Sequence, residues 1–233
     1  MNTIRVIKKI IILVMILIIP GFLYYLLTVK GKNRYHPLPI YGPRVAGKTT
    51  HRLGGKIVAD TIFHKLGDFN LQDQNGKPVS SHTFDDKIFV VDFFYTHCPD
   101  VCNTMNSYVD SLARNYAKND MVYFAGISVD PARDSVKALS NYSKQFADHG
   151  PKWLFLTGDT ATVYNLARKG FLVNALQVNQ NDFIYSDKLM LVDSHKRIRG
   201  YYSGTSFTDI TRLNDEIKVL ISEELLTKEA PLY

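Results

Sequence analysis

Strand patterns and helix patterns alternate along most of this chain, and that alternation restricts its fold more than any other feature. Two nearly continuous apolar runs, residues 88–95 and 121–129, have the composition of strands buried on both faces of a sheet. Shorter strand patterns follow at 153–156, 188–193 and 197–202, and helical spacing of apolar residues is found at 101–118, 134–147, 160–168 and 208–226. The alternation predicts an α/β domain whose sheet has parallel connections and helices on both faces.

Two hairpins are predicted beside these units. Asn75-Gly76, which follows residues 69–73, is a strong signal for a two-residue hairpin turn. The patterns at 188–193 and 197–202 are separated by a short polar stretch and predict a second hairpin. An antiparallel pair joined to parallel strands would make the central sheet mixed.

The N-terminus carries a membrane-span signal. Residues 10–29 form an uncharged stretch of 20 residues, which matches the ~20 residues that a helix needs to cross a bilayer core. A cleaved signal peptide has an apolar region of roughly 7–15 residues and a small-residue cleavage site, and this stretch instead ends Leu-Tyr-Tyr-Leu-Leu-Thr-Val. The sequence therefore predicts an uncleaved anchor. Basic residues flank both ends, so charge alone leaves its orientation open.

The chain divides into four predicted parts. Residues 1–29 are the N-terminal tail and anchor, and residues 30–60, with prolines at 37, 39 and 43 and little apolar periodicity, are predicted to be a linker. Residues 61–228 form the domain, and residues 229–233 a C-terminal tail. The net charge of +6 comes from scattered residues, which gives no concentrated patch for nucleic acid, and no nucleic-acid partner is expected.

The candidate functional residues are the two cysteines of the chain, Cys98 and Cys102, whose thiols can undergo redox reactions or bind a metal ion. They lie between the strand pattern that ends at Tyr95 and the helix pattern that begins near Val101. The positive end of a helix favours thiolate, and residues i and i+4 share a helix face. The spacing therefore permits a disulfide, and equally two thiolates on one soft metal ion. Two buried cysteines without a function are a third interpretation.

The residues around the thiol pair resemble a known family. The stretch Phe94-Tyr-Thr-His-Cys-Pro-Asp-Val-Cys102 is similar to the signature of the Sco/SenC family of copper-handling assembly factors. Residues 127–134 (ISVDPARD), 156–159 (LTGD) and 182–184 (DFI) resemble three further motifs of that family. The resemblance extends from about residue 69 to about residue 226.

The resemblance implies both a fold and a function. It implies a thioredoxin-like domain on an N-terminal anchor. The anchor would cross a bacterial inner membrane once, with the domain facing the periplasm. It also implies that Cys98 and Cys102 deliver copper, or reducing equivalents, to the binuclear copper centre of cytochrome c oxidase. The partner would be the subunit that carries that centre, or another copper or thiol protein.

One position departs from the family pattern. The family completes its copper site with a histidine from the loop before the penultimate strand, and counting back from residues 191–193 places Tyr185 there. Two thiolates can hold Cu(I), whereas a phenol is a poor ligand near neutral pH, so Cu(I) is expected rather than tight Cu(II) binding. His97 and His195 are interpreted as solvated surface residues, which leaves the third ligand unknown.

Two alternatives remain. The replacement at Tyr185 is compatible with a thiol–disulfide oxidoreductase that acts on one specific partner without copper. No proline occurs between Lys152 and Ala230, whereas general thioredoxin-type reductases carry a cis-proline in a loop facing the dithiol, so a general reductase is disfavoured. A thiol-based redox sensor is the other alternative.

Overall fold

The protein is described by a computed structural model that covers residues 3–26, 37–53, 56–98, 100–146, 152–177 and 183–229. The chain forms two compact units, Met1–His36 and Pro37–Tyr233. The first unit contains helix α1, Thr3–Tyr25. Within it, Val6–Tyr25 has a mean hydropathy of 2.6 and is long and apolar enough to cross a membrane. The end of the predicted span, residues 27–29, lies outside the described residues.

The second unit is built on a five-stranded mixed sheet. Strands β5 (Ile88–Phe94), β6 (Val122–Ser128) and β7 (Trp153–Leu156) are parallel. Strand β10 (Lys188–Val192) runs antiparallel to β5 and to β11 (Ile198–Ser203). The order across the sheet is β11-β10-β5-β6-β7. The predicted α/β fold with a mixed sheet is confirmed, including the hairpin that makes the sheet mixed.

Alternate residues of β5 enter the two cores on the opposite faces of the sheet. Phe89, Val91 and Phe93 pack in one core, and Ile88, Val90 and Phe94 pack in the other. The helices over these faces are α2 (Asp100–Asn115), α3 (Val136–Ser143), α4 (Thr160–Asn165, continued by a π-helical turn over Leu166–Gly170) and α5 (Phe207–Glu229). Burial on both faces explains why β5 reads as an unbroken apolar run.

The first predicted hairpin is also present, but its turn is longer than the two residues predicted, because the Asp73 N–H donates to the Lys77 carbonyl oxygen at 2.9 Å and leaves three residues, 74–76, at the tip. Strand β3 (Asn70–Gln72) pairs with β4 (Pro78–Ser80) in antiparallel register. Gly76 adopts a φ of +75° in the connecting turn, a backbone region open to glycine at little cost. The Asp73 carboxylate accepts hydrogen bonds from the backbone N–H groups of Asn75 (2.8 Å) and Lys77 (2.9 Å), which fixes the turn.

The predicted linker, residues 30–60, differs from the structure, because its part from Pro37 onward belongs to the second unit. Strands β1 (Arg44–Leu53) and β2 (Lys56–Phe63) form an antiparallel ribbon. The buried Arg199 guanidinium donates to the Leu38 carbonyl oxygen at 2.7 Å, and the Tyr41 N–H donates to the Ile198 carbonyl oxygen at 2.9 Å. These contacts hold residues 37–43 against strand β11.

A third pair of short strands precedes β10. Strand β8 (Ala175–Gln177) pairs antiparallel with β9 (Phe183–Tyr185), with Ala175 opposite Tyr185. Tyr185 therefore ends a strand three residues before β10 begins. Its side chain lies outside the described residues.

Candidate functional site

Cys98 and Cys102 meet where the central strand passes into helix α2. The chain leaves β5 at Phe94, and the Cys98 N–H donates to the Tyr95 carbonyl oxygen at 3.1 Å, which closes a turn. Cys102 lies in the first turn of α2. The two sulfurs are joined in a disulfide with a Cα–Cα distance of 5.8 Å. Of the two geometries that the spacing left open, the structure contains the oxidised pair.

The two sulfurs differ in accessibility. Cys102 is 1% exposed and belongs to the core that includes Phe94 and Met105. Cys98 is half-buried and contacts both cores at their edge. Attack on a disulfide requires access to the sulfur that is attacked. Cys98 is therefore the more accessible of the two to an incoming thiolate, for which Cys102 would be the leaving group.

A buried carboxylate lies beneath the loop that carries Cys98. Asp134 is 0% exposed and accepts from the Thr96 N–H (3.0 Å), the Thr96 hydroxyl (2.5 Å) and the Ser128 hydroxyl (2.6 Å). The Asp134 N–H in turn donates to the Asp130 carbonyl oxygen at 2.9 Å, and Arg133 pairs with the Asp130 carboxylate. Asp134 belongs to the stretch of residues 127–134, which only the family resemblance indicates as part of the site. No pattern in the sequence links that stretch to Thr96.

His97 is an exposed residue on the same loop. Its Nδ1 lies 3.0 Å from the Thr96 hydroxyl oxygen. Because that hydroxyl donates its own hydrogen to Asp134, its oxygen can only accept a hydrogen bond from an Nδ1–H of His97. The loop, the carboxylate and the imidazole therefore form one hydrogen-bonded chain.

Asp92 is a second buried acid near this end of the sheet. It lies in β5, is 1% exposed, and its Oδ2 atom has no hydrogen-bond partner among the described residues. Burial raises the pKa of Asp92 to about 7, although a backbone hydrogen bond to the carboxylate lowers this pKa in part. A buried carboxyl group with one oxygen left without a partner is easier to keep neutral than ionised. Asp92 is therefore expected to be protonated in the folded protein under mildly acidic conditions.

Replacing Asp92 by asparagine should remove a pH dependence of stability. The folded pKa of about 7 lies above the ordinary value of 3.8, so the free energy of unfolding should be highest below about pH 4 and fall until about pH 7. The shift corresponds to about 4 kcal/mol at most. Asp92→Asn should therefore be more stable than the wild type at pH 8 and similar to it at pH 4, as measured by denaturant unfolding of the detergent-solubilised chain.

The control for that variant is Asp73→Ala. Asp73 is also buried, but its Oδ1 atom accepts hydrogen bonds from two backbone N–H groups. Alanine removes that acceptor and leaves both N–H groups without it, so this variant should be less stable than the wild type at both pH 4 and pH 8. A wild type with the same unfolding free energy at pH 4 and pH 8 would contradict the assignment to Asp92.

The other histidine considered from the sequence, His195, lies in the turn between β10 and β11. Its ligand atom lies within 4.8 Å of those of Asp193 and Glu224, and the three together resemble a metal-binding group. However, the Asp193 carboxylate already accepts from Arg197 (2.7 Å) and Arg199 (3.2 Å). Two guanidinium groups oppose a cation at this place, so the interpretation of His195 as a surface residue stands.

The fold and the site together define a class of protein. A mixed sheet with helices on both faces, and a Cys-x3-Cys disulfide where the central strand passes into its helix, describe a thioredoxin-like domain with a dithiol–disulfide pair. The sequence model of SCO1/SenC matches residues 60–222. The chain belongs to the SCO1/SenC family.

Individual relatives agree with this assignment. An SCO2-like protein of Rickettsia typhi is 32% identical over 215 residues, which cover 88% of this chain and 95% of the relative. The structure of Bradyrhizobium japonicum ScoI with copper bound matches with a TM-score of 0.58 and 29% identity, over 67% of this chain and 99% of that one. BsSco, a member of the Sco family of cytochrome c oxidase assembly proteins with a disulfide switch, matches with a TM-score of 0.60 and 25% identity, over 66% and 92%.

Proposed function

We propose that this chain is a membrane-anchored assembly factor that delivers Cu(I), or reducing equivalents, to the binuclear copper centre of cytochrome c oxidase. Cys98 and Cys102 are the residues that carry either cargo. The observation that supports this most directly is the convergence of both sulfurs at the start of α2. Relatives of the same family include a copper-bound ScoI and a cytochrome c oxidase assembly protein.

The donor set fits Cu(I). Reduction of the disulfide releases two thiolates at neighbouring positions, and soft thiolate ligands select Cu(I). The N-terminal end of α2 lies beside Cys98, where its partial positive charge would favour a thiolate in the reduced pair. In the oxidised form the same two sulfurs are bonded to each other and cannot act as thiolate ligands. The redox state of the pair would therefore decide whether the chain accepts copper.

The reduced pair can deliver electrons to a partner disulfide. The Cys98 thiolate attacks one sulfur of that disulfide, the partner's S–S bond breaks, and the other partner sulfur leaves as thiolate. The Cys102 thiolate then attacks Cys98 Sγ in the mixed disulfide and releases the remaining partner sulfur as thiolate. Two electrons pass from this chain to the partner, the partner becomes a dithiol, and Cys98 and Cys102 become a disulfide. The greater accessibility of Cys98 supports this order of events.

We place the chain in a bacterial inner membrane, with the second unit facing the periplasm. Helix α1 is apolar and long enough to span a membrane once. A dithiol that cycles through a disulfide suits a compartment more oxidising than the cytosol. The partner would be the oxidase subunit that holds the binuclear copper centre.

The test is oxidase activity in membranes from cells that lack this chain. Activity should fall, and it should be restored by the wild-type chain and by Asn103→Ser, an exposed neighbour on α2, but not by Cys98→Ser. Unchanged oxidase activity without the chain, together with no Cu(I) bound by the purified reduced chain, would refute the proposal.

A second candidate is an oxidoreductase that reduces one partner disulfide without handling copper. It is favoured by Tyr185, which stands where the family pattern has a histidine ligand, and by the disulfide itself. In that case the reduced chain would restore oxidase activity without binding Cu(I). Thiol exchange would then remain sensitive to Cys98→Ser.

A further inference from the structure

The Asp134 carboxylate joins the ends of two neighbouring strands. Thr96 follows β5, and Ser128 is the last residue of β6. Asp134 accepts hydrogen bonds from both side chains and from the Thr96 N–H, and it is completely buried. A buried carboxylate with three donors is well satisfied, and charge-assisted hydrogen bonds of this kind are the strong ones.

The loop held by Asp134 is the loop that positions Cys98. Thr96 lies two residues before Cys98, and the intervening turn is closed by the bond from the Cys98 N–H to the Tyr95 carbonyl oxygen. Cys102, in contrast, is fixed by its burial in the core under α2. The distance between the two sulfurs therefore depends mainly on how firmly the loop holds Cys98.

We propose that Asp134 is a positioning residue that, through Thr96, holds Cys98 against Cys102 and so sets the dithiol–disulfide equilibrium of the pair. This rests on the proposed function only in taking Cys98 and Cys102 as the working thiols. The role is separate from copper or sulfur ligation, since Asp134 acts through hydrogen bonds to the loop.

The direction of the effect follows from effective concentration. A disulfide forms more readily when its two thiols are held close together before the reaction, because less freedom is lost on closing the ring. Loss of the Asp134 contacts would let the loop move away from α2. The disulfide would become easier to reduce, and Cu(I), which needs both sulfurs at once, would be held less tightly.

The test is the equilibrium of the full, detergent-solubilised chain with dithiothreitol. One dithiothreitol gives up two electrons and two protons, becomes a cyclic disulfide, and converts the Cys98–Cys102 disulfide into two thiols. For Asp134→Asn we expect the equilibrium to shift about tenfold toward the dithiol, which is about 30 mV for a two-electron couple. The affinity for Cu(I) should fall by a similar factor.

Two further variants separate positioning from simple stability. Thr96→Val removes the hydroxyl that donates to Asp134 and should shift the equilibrium in the same direction, whereas Thr96→Ser keeps the hydroxyl and should restore the wild-type value. Asp73→Ala removes the acceptor of two hydrogen bonds in a buried turn away from this loop, and it should lower stability without moving the equilibrium. These variants also keep the test valid if Asp134→Asn does not fold.

The proposal is overturned if folded Asp134→Asn or Thr96→Val remains within twofold of the wild-type equilibrium. It is also overturned if Thr96→Ser shifts as far as Thr96→Val. If the wild type bound no Cu(I) but the equilibrium still shifted, the copper function would fail and the positioning role would stand.

Discussion

Cys98→Ser is expected to lower the affinity of the reduced chain for Cu(I) at least about a hundredfold. Loss of a residue that only hydrogen-bonds to a metal ligand already lowers metal affinity about 10–100-fold, and this variant loses a ligand itself. A serine hydroxyl is neither soft nor ionised near neutral pH, so a single thiolate would remain. The same variant should lose disulfide exchange entirely, because the one remaining thiol, Cys102, is buried and has no second sulfur with which to form a disulfide. Cu(I) competition titration and a thiol-exchange assay measure the two effects.

Cys102→Ser separates the two roles of the pair. Its affinity for Cu(I) should fall as far as that of Cys98→Ser, because both sulfurs are needed as ligands. It should nevertheless still form a mixed disulfide with a partner, since Cys98 remains half-exposed. That mixed disulfide should persist, because the Cys102 sulfur that would attack Cys98 and release the partner is missing.

The control for both variants is Asn103→Ser, which changes the exposed residue next to Cys102 on α2 and leaves both sulfurs in place. It should bind Cu(I) like the wild type. Undiminished Cu(I) affinity in Cys98→Ser would show that copper is held elsewhere and would contradict the assignment of the pair as its ligands.

Tyr185→His is expected to gain affinity for Cu(II) by at least about tenfold, the lower end of the effects that supporting groups have on metal sites. An imidazole is a good ligand for copper in either oxidation state, whereas a phenol with a pKa of about 10 is not. Tyr185 ends β9, three residues before β10. Spectroscopic titration with Cu(II), alongside Cu(I) competition, measures the gain.

The matched control is Tyr41→His, which introduces a histidine at an exposed tyrosine on the segment packed against β11. It should leave Cu(II) binding at the wild-type level. If Tyr185→His gained nothing, or no more than Tyr41→His, then Tyr185 would not occupy the position of the missing ligand.

Sequence patterns predicted the elements that are regular and buried. Strand β5 was recognisable because it is apolar on both faces, and the β3–β4 hairpin because Asn75-Gly76 favours its turn. The β1–β2 ribbon was missed, since most of its side chains face solvent and it has no apolar alternation. Its pairing depends on backbone hydrogen bonds, which any sequence without proline can form.

Part of the candidate site was also predictable, because it lies where a regular strand passes into a regular helix. The position of Cys98 and Cys102 between a strand and a helix predicted that they would meet, but the spacing did not choose between metal and disulfide. The contact of Asp134 with Thr96 joins residues 38 positions apart, and no periodicity connects them. The buried acid Asp92 was likewise hidden in an apolar run, where its neighbours made it look like one polar interruption of a strand.

We expect Cys98 and Cys102 to form a Cu(I) site that is open only when the disulfide is reduced. The most direct measurement is a Cu(I) titration of the full, detergent-solubilised chain against a competing chelator, before and after reduction of the disulfide. We predict one Cu(I) bound per chain after reduction and none before it. Equal binding in the two states, or no binding in either, would contradict the claim.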